Sequence, residues 1–313
     1  MVQVNGMNKC KRFAKFNLLC NILSTLLIKY YMRFNFLLIL IIVCFLFSCR
    51  TQRYIYAPST PSIPYFQQKG DSKLSIIYSE GGNGTNNLNQ QIIIPTKQRN
   101  NGVDLQAAYA ITNHIAIMFN NYNRNETDTY GKIGNLYDTS TINYKRNIIE
   151  LGVGYYLALN KRKTITYNIY GGVGLGKFSI TENGIDKTLL PYNRYNTNNI
   201  IKYFIQNSFN FMSSEYVKLA LGGRVLFVNY GSNNTSYTTS ELEYFHLNKI
   251  ENNTLLFFEP MLNMQLGIPQ VNWIKIEGSI AFCSSPPTSY PASRGFNASV
   301  GLTIDVPKIF SKK

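Results

Sequence analysis

Cysteine, histidine and acidic residues are scarce in this chain, and their scarcity excludes several kinds of chemistry. Only five cysteines occur in 313 residues, and beyond Cys49 the sequence has Cys283 alone. An intramolecular disulfide is therefore impossible in that part of the chain. His114 and His246 are the only histidines, which is too few for a typical zinc centre when no further cysteines are available. We expect no metal and no organic cofactor.

Apolar runs long enough to span a bilayer as a helix are also missing from the N-terminal region. The run from Phe34 to Leu46 is shorter than the ~20 residues that a transmembrane helix needs. It ends at Ser48 and Cys49, after which Arg50 begins an abruptly polar stretch. A short apolar segment with a small residue before the cleaved position is typical of a signal peptide, and a cysteine directly after that position indicates a bacterial lipoprotein. We predict cleavage before Cys49 and a covalent lipid on Cys49.

The predicted cleavage point lies deeper in the chain than the usual ~15–30 residues of a signal peptide. Translation from Met32 would give a signal of ordinary proportions, with Arg33 as its basic region. Residues 1–31 would then be an upstream extension, and residues 1–48 together would comprise that extension and the signal. The alternative is translation from Met1 with an unusually long basic leader.

The formal net charge of +15 changes once the signal is removed. Residues 1–48 contain six Lys or Arg and no Asp or Glu, so 25 basic and 16 acidic groups follow, a balance of +9. A secreted protein rarely meets nucleic acid, so we predict no nucleic-acid binding. Solvated surface and anionic headgroups of outer-membrane lipids account better for the excess.

Residues 49–70 contain Pro58, Pro61 and Pro64 and few periodic apolar positions. Proline-rich segments of this kind form extended spacers. We predict a tether between the lipidated cysteine and the folded domain.

From about residue 72 the apolar residues recur at every second position, which is typical of β-strands. In one stretch, for example, Ile149, Leu151 and Val153 alternate with Glu150 and Gly152. Ten such strands are predicted, at 74–78, 103–111, 115–119, 149–157, 165–176, 201–211, 217–227, 256–266, 274–280 and 296–306.

The connections between these strands alternate in length. Tight turns are predicted near 112–113, 160–162, 213–214 and 269–270, and long polar loops over 81–101, 124–146, 180–198, 231–253 and 284–295. Short turns at one rim, long loops at the other and an even strand number are typical of a transmembrane β-barrel.

In this pattern the chain resembles the small, porin-like outer-membrane β-barrel proteins of Gram-negative bacteria, over residues 72–306. The resemblance implies an all-β, antiparallel up-and-down transmembrane barrel over 71–307, with short periplasmic turns, long external loops and a polar tail at 308–313. Two features depart from that family. In that family the last strand usually ends on an aromatic residue, whereas here Phe310 is followed by Ser311, Lys312 and Lys313. Pro260 interrupts the eighth predicted strand, where it suggests a bulge or a misplaced strand.

A barrel of ten strands is narrow, since about eight strands already leave an interior just filled by side chains, whereas open channels have about sixteen. The predicted inward face has five basic and five acidic residues. They are Lys73, Lys202, Lys218, Arg224 and Lys275 with Asp104, Glu150, Glu259, Glu277 and Asp305. Unpaired buried charges are costly, so we predict a salt-bridged network that plugs the lumen. The alternative is a selective pore lining.

The function predicted from these features is that of a non-enzymatic, lipid-anchored outer-membrane barrel. Its N-terminus would lie on the periplasmic side, and loops 124–146 and 231–253 would contact surface partners. Glu241, Glu243 and His246 are the only grouping suggestive of acid–base catalysis, and we interpret them as a solvated loop. One alternative is a narrow pore for small solutes or ions. Another is a tethered periplasmic barrel that binds an apolar ligand as lipocalins do, with the apolar faces turned inward.

Overall fold

The computed structural model describes residues 53–82, 95–131, 139–185, 188–251, 253–284 and 292–306. The predicted signal, Cys49 and the tail at 308–313 lie outside the described residues.

Within the described residues, ten antiparallel strands close into a barrel, and two short strands pair separately in parallel. The barrel strands are β2 (Ser72–Gly82), β3 (Lys97–Ala110), β4 (Ile115–Tyr130), β5 (Thr139–Ala158), β6 (Ile165–Ile185), β7 (Pro191–Met212), β8 (Val217–Thr235), β9 (Thr254–Ile268), β10 (Val271–Phe282) and β12 (Phe296–Ile304). The short pair is β1 (Tyr54–Tyr56) with β11 (Ala292–Ser293). Each barrel strand pairs with its neighbours in sequence order, and β12 closes the cylinder against β2 with Ile304 opposite Leu74.

The predicted all-β, ten-stranded, up-and-down barrel is confirmed. The predicted alternation of short and long connections fails at β6 and β7, whose connection at 186–190 is no longer than the tight turn at 159–164 between β5 and β6. One helix, α1 (Thr239–Tyr244), and one 3-10 turn (Leu247–Lys249) lie in the connection between β8 and β9. Among the described residues, neither helix has the length or apolar character to cross a bilayer.

The two faces of each strand differ sharply in burial. On β5, Leu151 is 60% exposed on the outside, whereas its neighbour Glu150 is completely buried in the lumen. Successive strand side chains point to opposite faces, and here the apolar set points outward around the barrel. The lipocalin-like alternative needs the opposite arrangement and is therefore wrong.

Several strands extend further toward the long-loop rim than their sequence patterns suggested. The predicted loops 124–146 and 180–198 are mostly strand, because β4 runs to Tyr130, β5 begins at Thr139, and β6 and β7 are separated only by 186–190. The predicted loop 231–253 likewise begins with the last residues of β8 and contains α1. Asn and Thr on the outward face hid these extensions, because a polar outer face removes the alternation of apolar and polar side chains.

Pro260 does not produce the predicted bulge. The pairing of β9 with β8 continues in register through Pro260, which lies opposite Gly223. On the other side the ladder to β10 stops at Met261 and reappears only as a bridge between Phe258 and Ser284. Proline lacks an amide hydrogen, so it interrupts one ladder without shifting the strand.

Residues 53–66 lie inside the barrel, and most of them are buried. We call this stretch the lumenal segment. It contacts the long-loop end of the barrel at Arg53, bound to Glu182 of β6, and the short-turn end at Pro64, bound by Asn168 of the same strand. The prediction of a tether outside the barrel is therefore wrong for these residues, because the lumen provides hydrogen bonds and apolar contacts that solvent would not. The first barrel strand does begin at the short-turn rim, but the described chain starts at the opposite end.

Candidate functional site: the occupied lumen

The centre of the lumen has a charge cluster built on Glu150. Lys202 of β7 forms an ion pair with Glu150, and an Arg224 Nη1 atom of β8 lies 3.5 Å from the second carboxylate oxygen. All three side chains are buried. Lys202 also donates to the Ser59 hydroxyl at 3.2 Å, so this cluster binds the lumenal segment.

Glu259 of β9 binds the lumenal segment directly. Its Oε1 atom accepts hydrogen bonds from the Tyr56 hydroxyl at 2.8 Å and from the Ser59 amide at 3.2 Å. The Tyr56 ring stacks on Phe257, with ring centroids 4.3 Å apart. Glu259 and Phe257, two residues apart on the inner face of β9, therefore hold Tyr56 of the segment.

Asp104 of β3 forms its ion pair with Arg124 of β4. Two bonds of 2.7 Å join the guanidinium to both carboxylate oxygens, a bidentate geometry that is strong and directional. Arg124 also donates to the Thr60 hydroxyl at 2.8 Å, and the Gln106 amide donates to the Thr60 carbonyl at 3.2 Å. Sequence reasoning missed Arg124 because it was assigned to a loop.

Glu277 of β10 is the acceptor at the centre of another cluster, which lies nearer the short-turn rim. Lys73 lies 2.7 Å from one of its oxygens, and Asn263 and Gln265 donate to it at 2.7 Å and 3.0 Å. Lys73 also donates to the Ile63 carbonyl at 3.4 Å. The lumenal segment is thus bound at this level too.

The three remaining predicted charges lie at the short-turn rim, where Lys275 is buried and Lys218 and Asp305 are partly exposed. Lys275 is 3.7 Å from Asp305, whose side chain is 17% exposed. The Lys218 ammonium lies 5.5 Å from the centre of the Tyr65 ring. These groups line a polar cavity of about 230 Å³ at the short-turn end of the lumenal segment.

A second network, near the long-loop rim, was not predicted. Arg294 binds both Glu126 and Asp128 of β4, each at 2.9 Å, and Arg146 of β5 pairs with Glu126. Arg146 also donates to the Ile55 carbonyl at 3.0 Å. The spacing of Arg124, Glu126 and Asp128 at every second residue was a usable signal for a strand with a charged inner face.

The prolines of the lumenal segment suit a buried extended chain. Proline brings a carbonyl acceptor but no amide donor, so fewer backbone groups need partners. Side-chain amides of the barrel supply the matching donors. Asn168 and Asn210 both donate to the Pro64 carbonyl, at 2.9 Å and 3.0 Å, and Gln206 donates to the Ser62 carbonyl at 2.9 Å.

The long-loop end of the lumen is covered by the connection that contains α1. Leu247 and Ile250 are fully buried there, and the Arg53 guanidinium lies 3.8 Å above the Phe245 ring. Tyr237 donates to Glu182 at 2.8 Å, and burial raises the pKa of Tyr237, which keeps its phenol protonated and able to donate.

The grouping of Glu241, Glu243 and His246 has structural roles in part. Thr238 and Glu241 form a reciprocal capping box at the start of α1, and Glu241 also pairs with Arg194. Among the described residues, no group of three His, Cys, Asp or Glu side chains is placed to hold a metal ion.

Comparisons with known proteins find similarity of architecture. No family model and no curated protein matches the sequence. Among solved structures, the outer membrane protease OmpT from Escherichia coli is similar at 11% identity and a TM-score of 0.40, over 79% of this chain and 100% of that one. The translocator domain of the autotransporter NalP from Neisseria meningitidis gives 8% identity and a TM-score of 0.43, over 75% and 88% of the two chains. The transport unit of the autotransporter AIDA-I from Escherichia coli gives 8% and 0.43, over 78% and 92%.

Proposed function

We propose that this protein is a non-enzymatic barrel of the bacterial outer membrane whose lumen is closed by its own lumenal segment. Its long connections would face outward, where the one between β4 and β5 (131–138) and the one between β8 and β9 (236–253) would contact surface partners. The lipid predicted on Cys49 would be an additional anchor. The observation that carries this proposal is the buried, multiply bonded segment inside a barrel with an apolar outer surface.

The outer surface supports a membrane location. On β5 the outward residues from Ile149 to Leu157 are all apolar, and beyond them Asn147 and Lys145 are polar. Nine residues rise about 30 Å along a strand, or about 23 Å along the barrel axis at a tilt near 40°, close to the ~25 Å apolar band of outer-membrane barrels. Exposed side chains such as Ile76, at 62%, would be unfavourable in water over so large a belt.

Aromatic side chains flank this belt in part. Tyr203 and Phe227 are exposed toward the long-loop side, and Tyr109 and Tyr155 toward the short-turn side. Aromatic girdles at both interfaces are typical of transmembrane barrels. Tyr230, by contrast, points into the lumen and donates to the Ile55 carbonyl at 3.0 Å.

Conductance in planar lipid bilayers tests the closed lumen. The native protein should insert without measurable current, because the segment is held at several levels. A variant in which 54–64 is replaced by a Gly-Ser sequence of equal length should conduct, because it keeps the chain but loses the side chains and prolines that hold it. Leu189→Ser, at an exposed position of the connection between β6 and β7, is the control and should stay silent. Steady current through the native protein would contradict the proposal.

A narrow pore is the second candidate function. The charges around the lumenal segment would line a polar passage if the segment withdrew, since Asp104, Arg124 and Lys202 all contact it or its immediate partners. The same recordings separate the two functions. Brief, voltage-dependent openings of the native protein would favour a gated pore, whereas silence at every voltage favours a permanent plug.

A further inference from the structure

We propose that the lumenal segment carries the N-terminal end of the chain out through the barrel, so that residues preceding Arg53 are displayed on the external face. This inference shares with the proposed function the orientation of the long connections toward the outside. It goes further in assigning the barrel a role in presenting its own N-terminus.

The order of contacts along the segment gives its direction. Pro64 is bound by Asn168 and Asn210, which lie close to the tight turns before β6 and after β7. Thr60 is bound by Arg124 in the middle of β4. Arg53 is bound by Glu182, three residues from the long-loop end of β6. The segment therefore advances from the short-turn rim to the long-loop rim without turning back.

The exit from the lumen is a specific contact. Both Glu182 oxygens accept from the Arg53 guanidinium at 2.9 Å. Next to it, β1 pairs in parallel with β11 at the end of the connection that precedes β12, and the Tyr56 carbonyl accepts from the Arg294 amide at 2.8 Å. The Arg53–Glu182 ion pair, the pairing of β1 with β11 and the Phe245 ring beneath Arg53 thus hold the end of the segment against the long-loop connections.

Chain length separates this arrangement from a periplasmic lipid anchor. Thirteen residue steps separate Arg53 from Phe66, which amounts to about 43 Å of extended chain at ~3.3 Å per residue. Cys49 is four residues before Arg53, and four residues of chain span at most about 14 Å. In the proposed arrangement a lipid on Cys49 would therefore be too far from the periplasmic leaflet to enter it. The predicted periplasmic anchor and the threaded segment exclude each other in one molecule.

Thiol labelling of intact cells with a membrane-impermeant maleimide tests the inference. The parent would be Cys283→Ser, which removes the thiol found among the described residues, and its own labelling sets the baseline. The test variant is Gln52→Cys. Tyr244→Cys, 72% exposed in α1, is the external control. Gln68→Cys, exposed beside the short-turn rim, is the periplasmic control. Heat-modifiable gel mobility verifies that each variant is folded.

The inference predicts that Gln52→Cys labels in intact cells at a level similar to Tyr244→Cys, several-fold above the parent. Gln68→Cys should label only after the outer membrane is permeabilised. Labelling of Gln52→Cys only after permeabilisation, in a folded protein, would overturn the inference. That result together with silent bilayer recordings would keep the closed lumen but remove the lumenal segment as its plug. External labelling of Gln52→Cys in a native protein that conducts would contradict only the closed lumen.

Discussion

At the scale of single residues, the inward charges follow from the alternation of the sequence, but their partners do not. The pattern places Glu150 and Lys202 on the same inner face, and the structure pairs them. Nothing in the pattern indicates that Glu259 binds a tyrosine of the lumenal segment instead of a cation of the wall. Partner choice depends on the register between strands far apart in sequence and on a segment whose prolines indicated a spacer.

Glycines show the same limit. Gly172 and Gly174 lie on the inner face of β6, and an added Cβ at Gly172 would overlap the Leu151 carbonyl and the Phe204 ring. The sequence pattern does not indicate which aromatic ring covers which glycine. Tyr170 lies over Gly154, whereas Phe204 covers Gly172.

The buried pair at the centre of the lumen gives a prediction for stability. Lys202→Met would leave the Glu150 carboxylate with Arg224 at 3.5 Å and the Asn120 amide at 3.3 Å as its remaining partners. Removing one member of a buried pair typically costs about 3–5 kcal/mol, because the other charge stays buried. Urea titration of the protein in lipid vesicles, followed by gel mobility, measures the loss.

Arg194→Met is the matched control for this prediction. Arg194 and Glu241 are 28% and 25% exposed, and exposed pairs contribute about 0–1 kcal/mol. Equal midpoint shifts for Lys202→Met and Arg194→Met would show that the lumen cluster adds nothing special to stability.

At the scale of elements, the number and order of strands could be predicted, but the positions of their long-loop ends could not. Apolar alternation identifies only the part of a strand that faces lipid, and β5 continues for ten residues before Ile149 with polar outward side chains. In that region the inner face alone preserves the strand pattern. Helix α1 escaped prediction because its six residues are too few to show a helical period.

These extended ends change which peptides a protease should release from intact cells. Residues held in β4 and β5 have paired backbones and should resist, whereas Glu243 and Lys249 are exposed in the connection between β8 and β9. We expect cleavage after Glu243 by a glutamate-specific protease and after Lys249 by trypsin, with Lys145 and Arg146 protected. Mass spectrometry of the supernatant identifies the peptides. Release of peptides cut at Arg146, which is buried, would contradict the extended strands.

At the scale of the whole molecule, closure of the sheet is the feature that the sequence predicted most securely. In a bilayer every backbone polar group needs a partner within the protein, so the first and last strands have to meet. They do, over nine residue pairs between β12 and β2. For the interior, the sequence predicted only that basic and acidic side chains would balance. The alternation of side chains in the barrel strands does not indicate that another part of the chain lies inside them.

A closed barrel with an apolar belt should remain in the membrane without a lipid. We expect Cys49→Ala protein to fractionate with outer membranes, to resist carbonate extraction and to migrate faster on gels before boiling than after it. The physical reason is that the belt on β2 to β12 provides its own attachment. Loss of the variant to the soluble fraction, or absence of a mobility shift, would contradict attachment through the barrel.

The lumenal segment also constrains the order in which the polypeptide acquires its shape. Tyr56 and Glu259 are 203 positions apart in sequence, and Lys73 and Glu277 are 204 apart, so the interior forms only after most of the chain has been synthesised and brought together. Contacts of such separation are slow to form because the intervening chain must first be ordered. Passing the rings of Tyr56 and Phe66 through a finished cylinder would disrupt its packed interior. We therefore expect the barrel strands to assemble around the segment, with the pairing of β2 and β12 forming last. The lumenal segment, which is synthesised before the barrel strands, would then be the core around which the last strands pack.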